Sequence, residues 1–266
     1  MGTRIISGFV MLAIVLPLIF IGGIPFQIFV YLCGMYALKE FMGLQKEKKE
    51  IPLFVQFISY LLMTFLFFSK IGKDGLVYMM DFRVISAFFL SLLFPLVLYH
   101  DQEIYNVNDA FFLIGGIFFL GTSFHLIVLL RELNIHLLVY LGLIACITDI
   151  YAYFTGVFFG RTKLITSVSP KKTVEGMIGG TLFGTLIPMY YYITVINPTA
   201  SIMKLIGITL FLSLVGQIGD LIFSSMKRYY KKKDFSNLIP GHGGILDRLD
   251  SIIFIILCFP FFLYFI

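Results

Sequence analysis

Residues 109–130 read DAFFLIGGIFFLGTSFHLIVLL, and after Asp109 the run contains no Asp, Glu, Lys or Arg. A segment of this length and character matches the roughly 20 apolar residues that an α-helix needs to cross a bilayer. Working outward, comparable runs fall at 5–22, 24–43, 51–70, 83–100, 136–160, 174–196, 200–226 and 245–266. They predict an all-α, polytopic integral membrane protein of about nine transmembrane helices: in lipid the backbone must be bonded internally, and the alternation of a membrane barrel is absent. Composition agrees, since 59% of residues are hydrophobic, 13% are charged and the mean hydropathy is +0.96, values that exclude a water-soluble domain. The start, MGTR followed by an apolar run, resembles a signal peptide but lacks a small-residue cleavage site, so it reads as a retained first span.

Charge falls mainly on one face of this predicted bundle. The connections after the second, sixth and eighth runs carry Lys46, Lys48 and Lys49, then Arg161, Lys163, Lys171 and Lys172, then Lys227, Arg228, Lys231, Lys232 and Lys233. The opposite face has only scattered charges such as Lys70, Lys73 and Arg131. The positive-inside rule therefore places the basic loops and the N-terminus in the cytoplasm and the C-terminus outside, in the cell (inner) membrane. Residues 1–133 are expected to be scaffold of about five spans, and residues 134–266 a catalytic region of about four spans with two basic loops. Cys33, Cys146 and Cys258 lie far apart, without the spacing of a zinc site or a disulfide framework. The expected surroundings are a lipid bilayer, with no nucleic acid.

Acidic residues inside apolar runs are the informative exceptions, because each costs about 2.5–3.5 kcal/mol at a helix centre unless paired or hydrated. Asp149, Asp220, Asp247 and Asp250 are such residues, and a shared polar cavity would account for all of them. Asp247 and Asp250 lie three apart on one helical face with Arg248 beside them, and Gly216, Asp220, Ser224 and Arg228 form a second stripe at spacings of four. Three carboxylates at one depth suit Mg²⁺, which also keeps water and phosphate ligands. An interhelical ion pair with Arg228 or Arg248 is the structural alternative.

Two loops supply positive charge. In 231–244, KKKDFSNLIPGHGG, the glycines Gly241, Gly243 and Gly244 would let backbone amides approach a phosphate at the start of the last helix. His242 would donate to that phosphate or move a proton, or simply be solvated. In 168–176, VSPKKTVEG, Ser169 and Pro170 are expected to start a helix with Lys171 and Lys172 in its first turn. Helix starts favour acids, so lysines there make sense if a polyphosphate binds, although an ordinary basic cap would look the same. Packing is the expected role of Gly156, Gly160, Gly176, Gly179, Gly180 and Gly184, which permit close helix approach. His125, Asp81 and Arg83 lie apart from this cluster and read as structural.

The string 224–250, SSMKRYYKKKDFSNLIPGHGGILDRLD, closely resembles the signature of the phosphatidate cytidylyltransferases, also called CDP-diacylglycerol synthases. SPKKTVEG and the Asp149 segment resemble that family too, so the specific likeness covers about the C-terminal half. The resemblance implies a helical membrane enzyme, commonly a homodimer, that makes CDP-diacylglycerol and pyrophosphate from CTP and phosphatidate with Mg²⁺. On that footing Asp220, Asp247 and Asp250 are expected to hold Mg²⁺, with a second cation left open, while Asp149 completes the set or its surroundings. Lys171, Lys172, Lys227, Arg228 and Arg248 would neutralise phosphates, with Ser169, Thr173 and the Gly241–Gly244 turn in the substrate site.

Two other classes fit parts of this pattern. An ion-coupled transporter would also carry acids at depth, but it predicts symmetry-related repeats, and none is visible. A phosphotransferase that consumes a CDP-lipid would carry Asp-Gly, then Ala-Arg, then two further aspartates on spaced helical turns, and no such string occurs here.

Overall fold

The computed structural model describes residues 2–45, 49–69, 82–263 and 265, and side chains among these except at 2–5 and 82–84. Lys46, Lys48, Lys70, Lys73 and Asp81, and the side chain of Arg83, lie outside what is described. The chain is predominantly helical: α1 (Gly2–Ile21), α2 (Gly23–Met42), α3 (Leu53–Phe68), α4 (Phe82–Leu93), α5 (Pro95–Leu98), α6 (Val107–Leu133), α7 (Ile135–Phe159), α8 (Val174–Tyr191), α9 (Ile202–Tyr229) and α10 (Leu246–Cys258). Among the described residues α6, α7 and α9 are long and apolar enough to cross a membrane.

Local chemistry sets the breaks. The fourth apolar run is split at Phe94, because Pro95 cannot donate to the helix preceding it. Asn106 and Asp109 form a reciprocal capping box that starts α6, and the Asn134 side chain accepts from the His136 amide to start α7. Past Pro188 the seventh run loosens into a π-helical turn at Tyr192–Ile196, and the ninth tightens into a 3₁₀ turn at Phe259–Phe262.

One expectation is corrected. Ser169–Thr173 is not the first turn of a helix but a strand, β2, paired antiparallel with β1 (Lys163–Ile165). Ser169 precedes a proline, which disfavours helical backbone, and Thr173 is the N-cap of α8, its hydroxyl accepting from the Gly176 amide at 3.1 Å. The first turn of α8 then holds Glu175, the acid that a helix start favours. Lys171 and Lys172 are thus carried into the site on extended chain.

Packing follows residue size. α8 lies against α7 so closely that a Cβ at Gly180 would come 2.7 Å from the Thr148 carbonyl oxygen, and one at Gly176 would come 2.7 Å from that of Ala152. The glycines of α8 therefore do pack helices, as their spacing suggests. The hydrophobic core runs on through α2, α3 and α6, where Phe41, Met63, Leu66 and Ile117 are buried. The outer surface exposes Phe9, Phe57, Phe158, Ile178, Met203 and Phe261, a character suited to hydrocarbon.

Polar contacts link the helix ends in alternation. Lys49 pairs with Asp109 at 2.7 Å, joining the end of α2 to the start of α6, and Lys232 donates to the Gly43 carbonyl. Ser7 meets His242 at 2.8 Å. At the other end Arg131 caps α1 by donating to the carbonyls of Ile19 and Phe20 at 3.0 Å, and Gln27 donates to Glu132.

Candidate active site between α7, α8, α9 and α10

Helix α9 carries a polar ladder into the bundle. Thr209 meets Tyr140 at 2.6 Å, Ser213 meets Thr148 at 2.8 Å, and Gln217 donates to Thr181 at 2.8 Å. Each of these groups is satisfied by a neighbouring helix, so they lock the helices together and leave the charged residues beyond them to do something else.

Beyond the ladder lies a cavity of about 470 Å³ lined by Asp149 and Gly156 from α7, Lys171, Lys172 and Thr173 from β2, and Gln217 and Asp220 from α9. Lys172 pairs with one oxygen of Asp220 at 2.5 Å, and Ser224 donates to the other at 3.2 Å. Asp250 accepts from the Ser251 amide at 2.8 Å. Asp149, Asp220 and Asp250 are near enough to repel one another, and Lys172 and Arg248 act on Asp149 with the opposite sign. Three carboxylates and a set of cations from four separate segments therefore share one electrostatic site.

Asp247 is not in that group. Its Oδ1 accepts from Lys227 at 2.7 Å, and its Oδ2 accepts from the amides of Phe235 at 2.8 Å and Gly244 at 2.9 Å. Both side chains are almost fully buried, at 9% exposure for Lys227 and 3% for Asp247. The pair ties α9 to the loop before α10, so the expected trio of Asp220, Asp247 and Asp250 is not assembled. Among the described residues no three His, Cys, Asp or Glu side chains are placed to share one ion. The ion-pair alternative holds in a different form, with Lys227 as the partner.

The glycine turn likewise uses its own donors. Gly241 and Gly243 take positive φ values of 77° and 83°, which only glycine adopts without strain, and this closes a tight turn in which the His242 and Gly243 amides donate to the Ile239 carbonyl. The Gly244 amide, expected to approach a phosphate, instead meets the Asp247 carboxylate, and the Ile245 and Leu246 amides that follow meet Glu40. His242 leans on α1, where its Nδ1 meets the Ser7 hydroxyl. Arg228 donates to the carbonyls of Val168 and Lys232, holding the β1–β2 turn against the end of α9, and Ser169 pairs with Ile165 in the hairpin.

The C-terminal helices thus converge on a small, charged cavity, with basic groups on a hairpin, carboxylates on α7 and α9 in its lining, and Asp250 of α10 nearby. From residue 2 to residue 266 the chain matches the cytidylyltransferase family. The chain belongs to that family. Among cytidylyltransferases it is similar to the phosphatidate cytidylyltransferase of Bacillus subtilis (strain 168), with 35% identity over 274 residues covering 100% of this chain and 97% of the relative. It is also similar to proteins of the same name from Staphylococcus saprophyticus, at 31% identity over 257 residues, and Staphylococcus aureus (strain COL), at 30% over 258 residues, each covering 96% of both chains. The likeness is therefore full length and takes in α1 and α2, which reading from motifs alone had left as general scaffold.

Glu40 and Ser7 are the site's neighbours that sequence reasoning missed. Each reaches the loop before α10 from more than 190 residues away in the chain. A single acid at the end of an apolar helix is the only signal that Glu40 gives in the sequence.

Proposed function

We propose that the chain transfers the cytidylyl group of CTP to phosphatidate, forming CDP-diacylglycerol and releasing pyrophosphate. The observation that carries this reading is the cavity in which Asp149, Asp220, Lys171 and Lys172 meet, in a chain whose full-length relatives are named for this activity. A phosphatidate oxygen attacks the α-phosphorus of CTP as the bond from that phosphorus to the β-bridging oxygen breaks, and the electron pair leaves with pyrophosphate. Both reactants are anions, so the protein's task is to bring them together and offset their charge.

Residues of this chain divide that task. Lys171 and Lys172, extended on β2, reach phosphate oxygens from one side of the cavity, and Arg248 does so from the other. Asp149 and Asp220, which line the cavity and repel each other, would hold Mg²⁺ together with substrate phosphates and water, since Mg²⁺ is commonly held by one or two carboxylates; Asp250 adds negative charge nearby. When bound, Mg²⁺ would draw charge from the phosphates; a second cation would find the same oxygens. Lys227 and Asp247 hold the architecture, and His242, which rests on α1, braces the loop before α10.

The nine apolar runs would all lie in the membrane, with the basic ends of α2, α9 and the hairpin in the cytoplasm. The grouping of Lys49 with Asp109 and of Lys232 with Gly43 supports this arrangement. Phosphatidate would enter sideways from the bilayer. A homodimer is part of the proposal, to be checked by light scattering in detergent.

The test is to purify the chain in detergent and follow pyrophosphate release from CTP with phosphatidate and Mg²⁺. Release dependent on both substrates is expected. Absence of release, where a relative assayed alongside is active, would overturn the reading.

A further inference from the structure

Glu40 is 3% exposed, a carboxylate buried at the end of α2 in a part of the chain that the motifs do not reach. Its Oε1 accepts from the Ser236 hydroxyl at 2.6 Å and the Ile245 amide at 2.9 Å, and its Oε2 accepts from the Leu246 amide at 2.9 Å. Leu246 opens α10, and Ile245 at its N-cap has no side chain able to cap it. Asp247 in the first turn takes the Gly244 amide, and a second acid, delivered by another helix 205 positions earlier in the chain, takes the Ile245 and Leu246 amides. Gly244 has no Cβ, and one built there would collide with the Glu40 carboxylate.

This contact fixes more than a loop. Arg248 and Asp250 lie two and four residues beyond the bonded Leu246 amide, on the first turns of α10, and both act electrostatically on Asp149 in the cavity. The height and rotation of that helix start set where the two charges stand. Lys171 and Lys172 are held separately, by the hairpin and the Thr173 cap of α8. Resting on the cytidylyltransferase reading, we propose that Glu40 is a positioning residue. It holds the start of α10 so that Asp250 and Arg248 meet the reacting phosphates, without itself touching substrate.

The geometry distinguishes this from plain structural support. Loss of Glu40 should weaken the placement of the α10 charges while the β2 lysines still hold CTP, so turnover falls and nucleotide binding does not. Purified full-length Glu40→Gln keeps the size of the side chain but turns an amide donor toward backbone donors. Its kcat is expected to fall about tenfold or more, with KM for CTP within about twofold of the parent. Ser236→Ala leaves the carboxylate in place and removes one of its three donors; it should lower kcat about threefold at unchanged KM. If Glu40→Gln does not fold, Ser236→Ala decides. The inference is overturned if the folded variants keep parental kcat, or if KM rises in step with the loss. An inactive parent protein would instead overturn the cytidylyltransferase reading, so the two failures are separable.

Discussion

Replacing Lys227 by methionine separates a buried structural pair from a phosphate-binding lysine. Lys227 and Asp247 meet at 2.7 Å with 9% and 3% of their side chains exposed. Removing one partner of a buried pair typically costs about 3–5 kcal/mol, because the other charge is left uncompensated. Here Asp247 would keep its bonds from the Phe235 and Gly244 amides, at 2.8 and 2.9 Å, which offset part of that loss. The lower end, about 3 kcal/mol, is therefore expected, corresponding to a drop of roughly 6–12 °C in midpoint for a chain of this size.

Thermal unfolding in detergent, followed for the parent, Lys227→Met, Asp247→Asn and the double variant, measures this. In the double variant the stranded charge is gone, so its loss should be smaller than the sum of the single losses. A Lys227→Met protein within about 0.5 kcal/mol of the parent, or strictly additive losses, would refute the structural role. Lys227 would then return to the set of phosphate-binding cations.

Three further outcomes follow from the packing and charge already described. Gly180→Ala should cost about 1–3 kcal/mol in the same unfolding assay, since its Cβ would lie 2.7 Å from the Thr148 carbonyl oxygen and neither helix backbone can yield locally. Thr173→Val, which deletes the cap on α8, should lower stability by about 1 kcal/mol and raise KM for CTP by moving the strand that bears Lys171 and Lys172. Chelation of divalent cations should abolish pyrophosphate release and added Mg²⁺ should restore it, while Asp250→Asn should remove turnover in a protein that still folds.

Several features were legible before any coordinates. Apolar runs of spanning length translate directly into helices, because backbone satisfaction in hydrocarbon allows little else. Asp149, Asp220, Lys171 and Lys172 were also legible, since charge inside or beside an apolar run demands a polar cavity. The hairpin was misread although its signals were present: a residue before proline prefers extended backbone, and Thr173 is a better cap than Ser169. Lys227 was misread for another reason. In the run Lys227, Arg228, Lys231, Lys232, Lys233 all cations look alike, and only burial separates the one that pairs with Asp247 from those that reach solvent. Periodicity shows which face a residue is on but not what lies opposite, which is why the partners of Glu40 and Ser7 could not be read.

The acids of this bundle differ chiefly in what meets them. Glu40 is met by two backbone amides and a hydroxyl, and Asp247 by two amides and a lysine, so the oxygens of both are satisfied where they are buried. Asp149, Asp220 and Asp250 have less: Asp220 shares Lys172 and Ser224, Asp250 has one neighbouring amide, and the three repel one another. A site that collects negative charge in this way and then has to admit two anionic substrates is unfavourable on electrostatic grounds alone. The proposed cation and the basic hairpin would therefore be two halves of one requirement. Glu40 and Asp247 spend their oxygens on the loop before α10 and the start of that helix, which carries Asp250.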